Sequence, residues 1–236
     1  MIEELLVPGT AAVESFGDDP GAPADLHPEE ELIVAGAEDG RRREFATVRR
    51  CAREALGKLG VAPGPILRDP KGAPRWPAGF VGAMTHCQGY RAAVVAPAGR
   101  VAALGIDAEP NLPLRSRGVA ELVTVEGERA RLPELAARRP EVQWERLLFS
   151  AKESVYKVWY PLTGRWLDFQ DAEITVDPAW STFHARLLVP GPEIDGVRLD
   201  SLDGGWLVRD GLIVTAITVP RPAPRAGADT AKAAST

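Results

Sequence analysis

Two carboxylates set two residues apart in a strand constrain this chain more than any other feature. They lie in Gly105-Ile106-Asp107-Ala108-Glu109, directly after the apolar run 101–104, which reads as a buried strand. Side chains alternate along a strand, so Asp107 and Glu109 point one way while Ala108 faces the other. Carboxylates held side by side repel each other unless a cation or a proton sits between them. Oxygen-only ligands at this spacing suit Mg²⁺, which keeps waters and completes its shell with substrate phosphates.

A second stretch, Phe149-Ser150-Ala151-Lys152-Glu153-Ser154-Val155-Tyr156-Lys157, lies in a helix predicted over 143–159 and stopped by Pro161. Trp144, Leu148, Ala151, Val155 and Val158 recur at helical spacing and form its buried stripe. Glu153 and Lys157 are four apart on another face, so they can meet one ligand together. Each motif alone also has a plain reading. A Glu-to-Lys pair at this spacing is commonly a solvated helix pair. Ser150 to Glu153 matches a capping box, and Asp107-Ala108-Glu109 could close a strand before Pro110.

At 236 residues the chain forms one large domain or two small ones. An apolar fraction of 45% and a charged fraction of 26% are ordinary for a soluble globular protein. The net charge of −5 argues against a general nucleic-acid binder, so any anion site must come from local clustering. No long apolar run is present, so neither a signal peptide nor a membrane span is expected, and the cytoplasm is the expected location. Cys51 and Cys87 fit neither a metal-ligand spacing nor a disulfide framework and are read as buried reduced thiols. Three well-separated histidines do not suit a His-rich metal site. The absence of a GxxxxGK[ST] loop argues against an ordinary P-loop ATPase.

Along the chain, a strand is expected at 13–16 and a helix at 29–37, led by Pro28 and three glutamates. A second helix, 41–59, carries an apolar stripe of Phe45, Val48, Ala52, Leu56 and Leu59, ended by Gly60. Its other face is basic through Arg42, Arg49 and Arg53, with Arg41, Arg43 and Arg50 nearby. Such a face is either solvated or a phosphate clamp, since guanidinium groups bind phosphate oxygens bidentately. Short strands follow at 66–67, 80–84, 90–96 and 101–106, the last two joined by a hairpin loop. Short helices are expected at 119–123 and 128–139, the second broken at its start by Pro133. Strands at 172–176, 183–189, 206–208 and 212–219 are separated by Asp-Gly turn signals. Beyond Pro220 the Pro/Ala/Thr-rich tail lacks the apolar residues to pack and is expected to be disordered.

Taken together, Gly-Ile-Asp-x-Glu followed by a helical Lys-Glu-Ser-x-x-Lys resembles the signature of the Sfp-type 4′-phosphopantetheinyl transferases, especially actinobacterial members. The likeness extends in collinear order over residues 25–219. It includes Thr47 to Arg53, Lys71-Gly72-Ala73-Pro74, Trp76-Pro77, Thr85-His86-Cys87 and Trp159-Tyr160-Pro161-Leu162-Thr163. It implies an α+β fold of two similar halves, here 1–104 and 105–219, with the cofactor in the cleft between them and 220–236 as a tail.

The resemblance also implies transfer of phosphopantetheine from coenzyme A to a serine of an acyl or peptidyl carrier protein. Mg²⁺ would be held by Asp107, Glu109 and Glu153. Glu153 would take the serine proton, directly or through water, and Lys157 would meet the departing phosphate. Arg41 and Arg49, with Arg53 next, would hold the 3′-phosphate of coenzyme A. Arg68 and Lys71 would approach its nucleotide end, and Thr85, His86 and Lys152 its phosphates. Trp166, otherwise a core aromatic, would lie beside the pantetheine arm. Carrier contacts are expected along 112–139. A monomer is expected, and polyketide, nonribosomal peptide and siderophore pathways stay open. Two rival readings are a Mg²⁺-dependent pyrophosphatase and a coenzyme A-binding regulator without turnover.

Overall fold

Runs of alanine and β-branched residues build two antiparallel sheets in the computed structural model, which describes residues 1–221. β1 (Ala11–Ser15), β2 (Phe80–Cys87) and β3 (Tyr90–Pro97) form the first, in the order β1-β3-β2. The second contains β4 (Val101–Pro110), β5 (Ala172–Asp177), β6 (Thr182–Leu187), β9 (Ser201–Arg209) and β10 (Leu212–Pro220). Its order is β4-β10-β9-β6-β5. A two-residue ladder of β7 (Glu193–Ile194) and β8 (Val197–Arg198) stands apart and was not expected from the residue pattern.

Helices cover one face of each sheet. α1 (Pro28–Val34) leads into α2 (Asp39–Lys58), whose Cys51, Ala52, Ala55 and Leu56 pack against Ala93 and Val95 of β3. α3 (Arg117–Val123) and α4 (Glu126–Arg138) precede α5 (Trp144–Thr163). The α5 stripe Trp144, Leu148, Ala151, Val155 and Val158 is buried against the second sheet, as its spacing predicts. Ala92 and Val94 of β3 point away from α2 and join Leu104, Ile106, Val214 and Ala216 in a core shared by both sheets. The class is α+β.

Gly105 sits where β4 meets α5. A Cβ placed there would come within 2.0 Å of the Ser154 carbonyl oxygen, so only glycine permits this approach. Gly105→Ala is therefore expected to push α5 off the sheet and cost about 1–3 kcal/mol, read from urea denaturation midpoints.

Several boundaries differ from expectation. β4 runs on to Pro110, so both acids lie within the strand, and the expected division at 104/105 falls inside it. Residues 66–67 form no strand; the only pairing nearby is a single bridge between Arg68 and Pro74. α4 passes through Pro133 rather than breaking there. That proline faces solvent, as does Arg129, whose carbonyl it leaves unbonded, so water can serve that acceptor. α5 likewise continues past Pro161 to Thr163 and ends on Gly164 at φ +65°. Cys51 is buried as expected, but Cys87 is half-exposed; both are free thiols. The tail expected to be disordered lies, from residue 222 on, outside the described residues.

Candidate active site

Strand alternation directs Asp107 and Glu109 at α5, and helical spacing returns Arg146, Glu153 and Lys157 toward them. The Lys157 ammonium donates to Asp107 Oδ1 at 2.8 Å and to the Ile106 carbonyl at 2.9 Å. Arg146 Nη1 donates to Glu109 Oε2 at 2.9 Å, while its other nitrogens hold the Leu112 and Pro113 carbonyls. Arg146 was not anticipated. It lies seven residues before Glu153, two turns along the same face of α5, while its partner Glu109 lies 37 residues earlier in the chain.

Thr85 fixes Asp107 from the other side. Its buried hydroxyl donates to Asp107 Oδ1 at 3.2 Å and accepts the Ala108 N–H at 3.1 Å. Expected at the cofactor, Thr85 instead orients an acid. Asp107 Oδ2 is buried and has no hydrogen-bond partner among the described residues. An orphaned carboxylate oxygen is costly unless something else is meant to occupy it.

The acids act on one another. Burial pushes the Glu109 carboxyl above its usual range and the Asp107 charge adds to this, against the pull of Arg146. Burial also raises Glu153, opposed by Lys157 and reinforced by Asp107 and Glu109. Among the described residues no three acid, histidine or cysteine side chains close into a metal cage by themselves. The orphaned Asp107 oxygen and the mutual repulsion of an all-oxygen set still fit Mg²⁺, which takes few protein ligands and fills its shell from elsewhere.

Arg41 and His86, far apart in sequence, come together at the end of β2. Arg41 Nη1 lies 3.2 Å from His86 Nε2, and His86 Nδ1 lies 2.9 Å from Glu44 Oε1. A neutral ring with its proton on Nδ1 satisfies both contacts, and burial lowers the His86 pKa in keeping with that. Glu44 also pairs with Arg41 and was not anticipated. Arg68 and Lys71 are exposed and line one open groove. Trp166 is 72% exposed, so it is no core residue; its ring lies 5.2 Å from that of Tyr156, at a cavity of about 110 Å³ that Glu153 also lines.

Three expected phosphate ligands lie elsewhere. Lys152 is buried and turned away from the acids. Its ammonium meets Glu128 at 3.0 Å and the Val123 and Phe169 carbonyls at 2.8 and 2.7 Å, which uses all three donors. Arg53 is buried in an ion pair with Glu30 at 2.8 Å. Arg49 is also buried, bonded to the Ile66 carbonyl at 3.0 Å with its guanidinium 4.0 Å from the centre of the Phe45 ring. Burial brings the Arg49 pKa down to about 10. The basic face of α2 is thus partly internal, because helix α1 and residue Ile66 cover its middle.

Between β2 and α5 lies an apolar cavity of about 460 Å³, lined by Lys71, Trp76, Met84, Tyr156, Lys157 and Tyr160 among others. A lysine shared between this cavity and the acid pair places a cation where an elongated anionic ligand would cross from one to the other.

Residues 29–96 match the family described as 4′-phosphopantetheinyl transferase N-terminal domain, and residues 103–194 match the 4′-phosphopantetheinyl transferase superfamily. The two matches meet at the β3–β4 loop. The chain is 57% identical over 224 residues to 4′-phosphopantetheinyl transferase Svp of Streptomyces mobaraensis, covering 94% of this chain and 91% of that one. It is 45% identical over 213 residues to 4′-phosphopantetheinyl transferase PptT of Mycobacterium tuberculosis, with 89% and 92% covered. It is 45% identical over 227 residues to 4′-phosphopantetheinyl transferase Npt of Nocardia iowensis, with 92% and 99% covered. With both halves matched and identity sustained over nearly the whole length, the chain belongs to the 4′-phosphopantetheinyl transferase superfamily.

Proposed function

We propose that the chain transfers 4′-phosphopantetheine from coenzyme A to a serine of an apo acyl or peptidyl carrier protein, in a Mg²⁺-dependent reaction that releases 3′,5′-ADP. The observation that carries this reading is the Lys157–Asp107 contact between α5 and β4, beside an orphaned Asp107 oxygen and a Glu153 whose pKa is raised by burial and by the charges of Asp107 and Glu109.

Asp107 and Glu109, with Glu153, would hold Mg²⁺, which when bound neutralises diphosphate charge. Glu153 takes the proton of the serine hydroxyl as its oxygen bonds to the phosphorus of the phosphopantetheine arm. Its raised pKa brings it closer to a useful base at neutral pH. The anhydride bond breaks and 3′,5′-ADP departs. Lys157 gives two of its donors to Ile106 and Asp107, which leaves one to meet charge developing on the leaving phosphate. Arg41 and His86 supply a further phosphate contact, and Trp166 with Tyr156 flanks the pantetheine arm. The protein acts as a cytoplasmic monomer; no helix among the described residues is long and apolar enough to cross a membrane.

Chromatography of 3′,5′-ADP tests this. Release is expected only when apo-carrier, coenzyme A and Mg²⁺ are all present. Release without a carrier would instead identify a pyrophosphatase, and no release in either case a coenzyme A-binding regulator. Acidification provides another check. Because Glu109 and Glu153 keep their protons to higher pH than ordinary glutamates, apparent Mg²⁺ affinity should start to fall above the usual glutamate range. Isothermal titration across pH, set against a simple Asp/Glu chelator, reads that difference.

A further inference from the structure

The loop 68–74 is fastened to the far end of α5 by side chains distant in sequence. The Tyr160 hydroxyl donates to Asp69 Oδ2 at 2.6 Å, and the Lys71 ammonium donates to the Gly164 carbonyl at 3.2 Å. Asp69 also organises the loop internally. Its Oδ1 accepts the backbone N–H groups of Lys71 and Ala73, both at 2.9 Å. The Asp69 N–H donates to the Ala73 carbonyl at 2.8 Å, and Gly72 turns the chain at φ +95°. One carboxylate therefore shapes the loop with one oxygen and anchors it to α5 with the other. The bond to Asp69 pushes the Tyr160 hydroxyl up to about 12, so it remains a donor throughout the neutral range.

The apolar cavity of about 460 Å³ is lined on one side of this strap by Lys71, Gly72, Ala73 and Pro74, and from α5 by Tyr156 and Tyr160. The loop belongs to the N-terminal match and α5 to the C-terminal one, so the strap spans both halves of the family match. We infer that Tyr160 is a positioning residue for the coenzyme A co-substrate, holding the loop through Asp69 where it walls the cavity. This rests on the reading of coenzyme A as co-substrate. Tyr160 touches no reacting atom in this role, so its loss weakens co-substrate binding and leaves the chemical step alone.

Tyr160→Phe tests it, because the ring that remains keeps its stacking on Tyr156, 5.9 Å between centroids. The KM for coenzyme A is expected to rise about five- to tenfold, with kcat and the KM for carrier within about twofold. Hydrogen exchange of segment 69–73, measured without ligand, is expected to quicken in the variant. On an Asp69→Ala background, Tyr160→Phe should add little, since both act through one bond. Unchanged exchange overturns the strap. Quickened exchange with an unchanged coenzyme A KM overturns its role in positioning, as does a fall in kcat alone. A wild-type protein that binds no coenzyme A in calorimetry breaks the co-substrate reading, and the positioning role falls with it, while exchange still reports on the strap.

Discussion

Glu153→Gln is expected to leave the fold intact and to cut carrier modification by about 10³-fold, within the range that general-base catalysis supplies. The substitution keeps the shape of the side chain and removes its ability to take a proton. It also removes one negative charge from a cluster in which Asp107 and Glu109 already raise the Glu153 pKa. Folding should be unharmed or slightly helped, because a repulsive charge disappears from a half-buried position. Loss of rate with retained or raised Tm is therefore the signature of a working acid. Loss of rate together with loss of Tm would instead mark a structural one. Comparing Glu153→Gln with Asp107→Asn separates roles, since Asp107 anchors Lys157 and Thr85 and should cost stability as well as activity.

The largest stability effect is expected at Glu128, which sequence reasoning passed over. Its carboxylate is fully buried, pairs with Lys152 at 3.0 Å and accepts the Val125 and Ile174 N–H groups at 2.8 and 2.6 Å. Lys152 in turn holds the Val123 and Phe169 carbonyls. One ion pair thus knots α3, α4, α5 and β5 directly behind Glu153. Burial pulls the Lys152 ammonium below its usual pKa, with the Glu128 charge opposing. Glu128→Ala strands that ammonium and two backbone donors, and should cost about 3–5 kcal/mol in urea denaturation. Replacing both partners, as Glu128→Leu with Lys152→Met, should recover much of the loss, because no lone buried charge remains. If the single variant costs less than about 1 kcal/mol, water reaches the pair and its burial is only nominal.

Much of the site was legible because it depends on local spacing. Alternation placed Asp107 and Glu109 on one face of β4, and a four-residue step set Glu153 and Lys157 together on α5. The apolar stripe of α5 followed from the same helical period. What stayed hidden depends on which way a side chain turns and on contacts far apart in sequence. Lys152 and Glu153 are neighbours, yet one faces a buried glutamate 24 residues earlier in the chain and the other faces the acids. The Arg146–Glu109 contact spans 37 residues and the Tyr160–Asp69 contact 91, so no periodicity announces them. Basic residues on α2 looked alike in sequence. Tertiary cover then divided them, leaving Arg41 in solvent and burying Arg49 and Arg53. Pro133 and Pro161 misled for a different reason. Proline removes one backbone donor, and a helix tolerates that where the freed carbonyl reaches water or the helix is about to end.

Carrier modification is read out by intact-mass spectrometry of an apo carrier domain incubated with this protein, coenzyme A and Mg²⁺. A gain of one phosphopantetheine group on a single carrier serine is expected, lost with Glu153→Gln and on removal of Mg²⁺ by chelation. A carrier whose mass stays unchanged with wild-type protein, across several carrier classes, would contradict it.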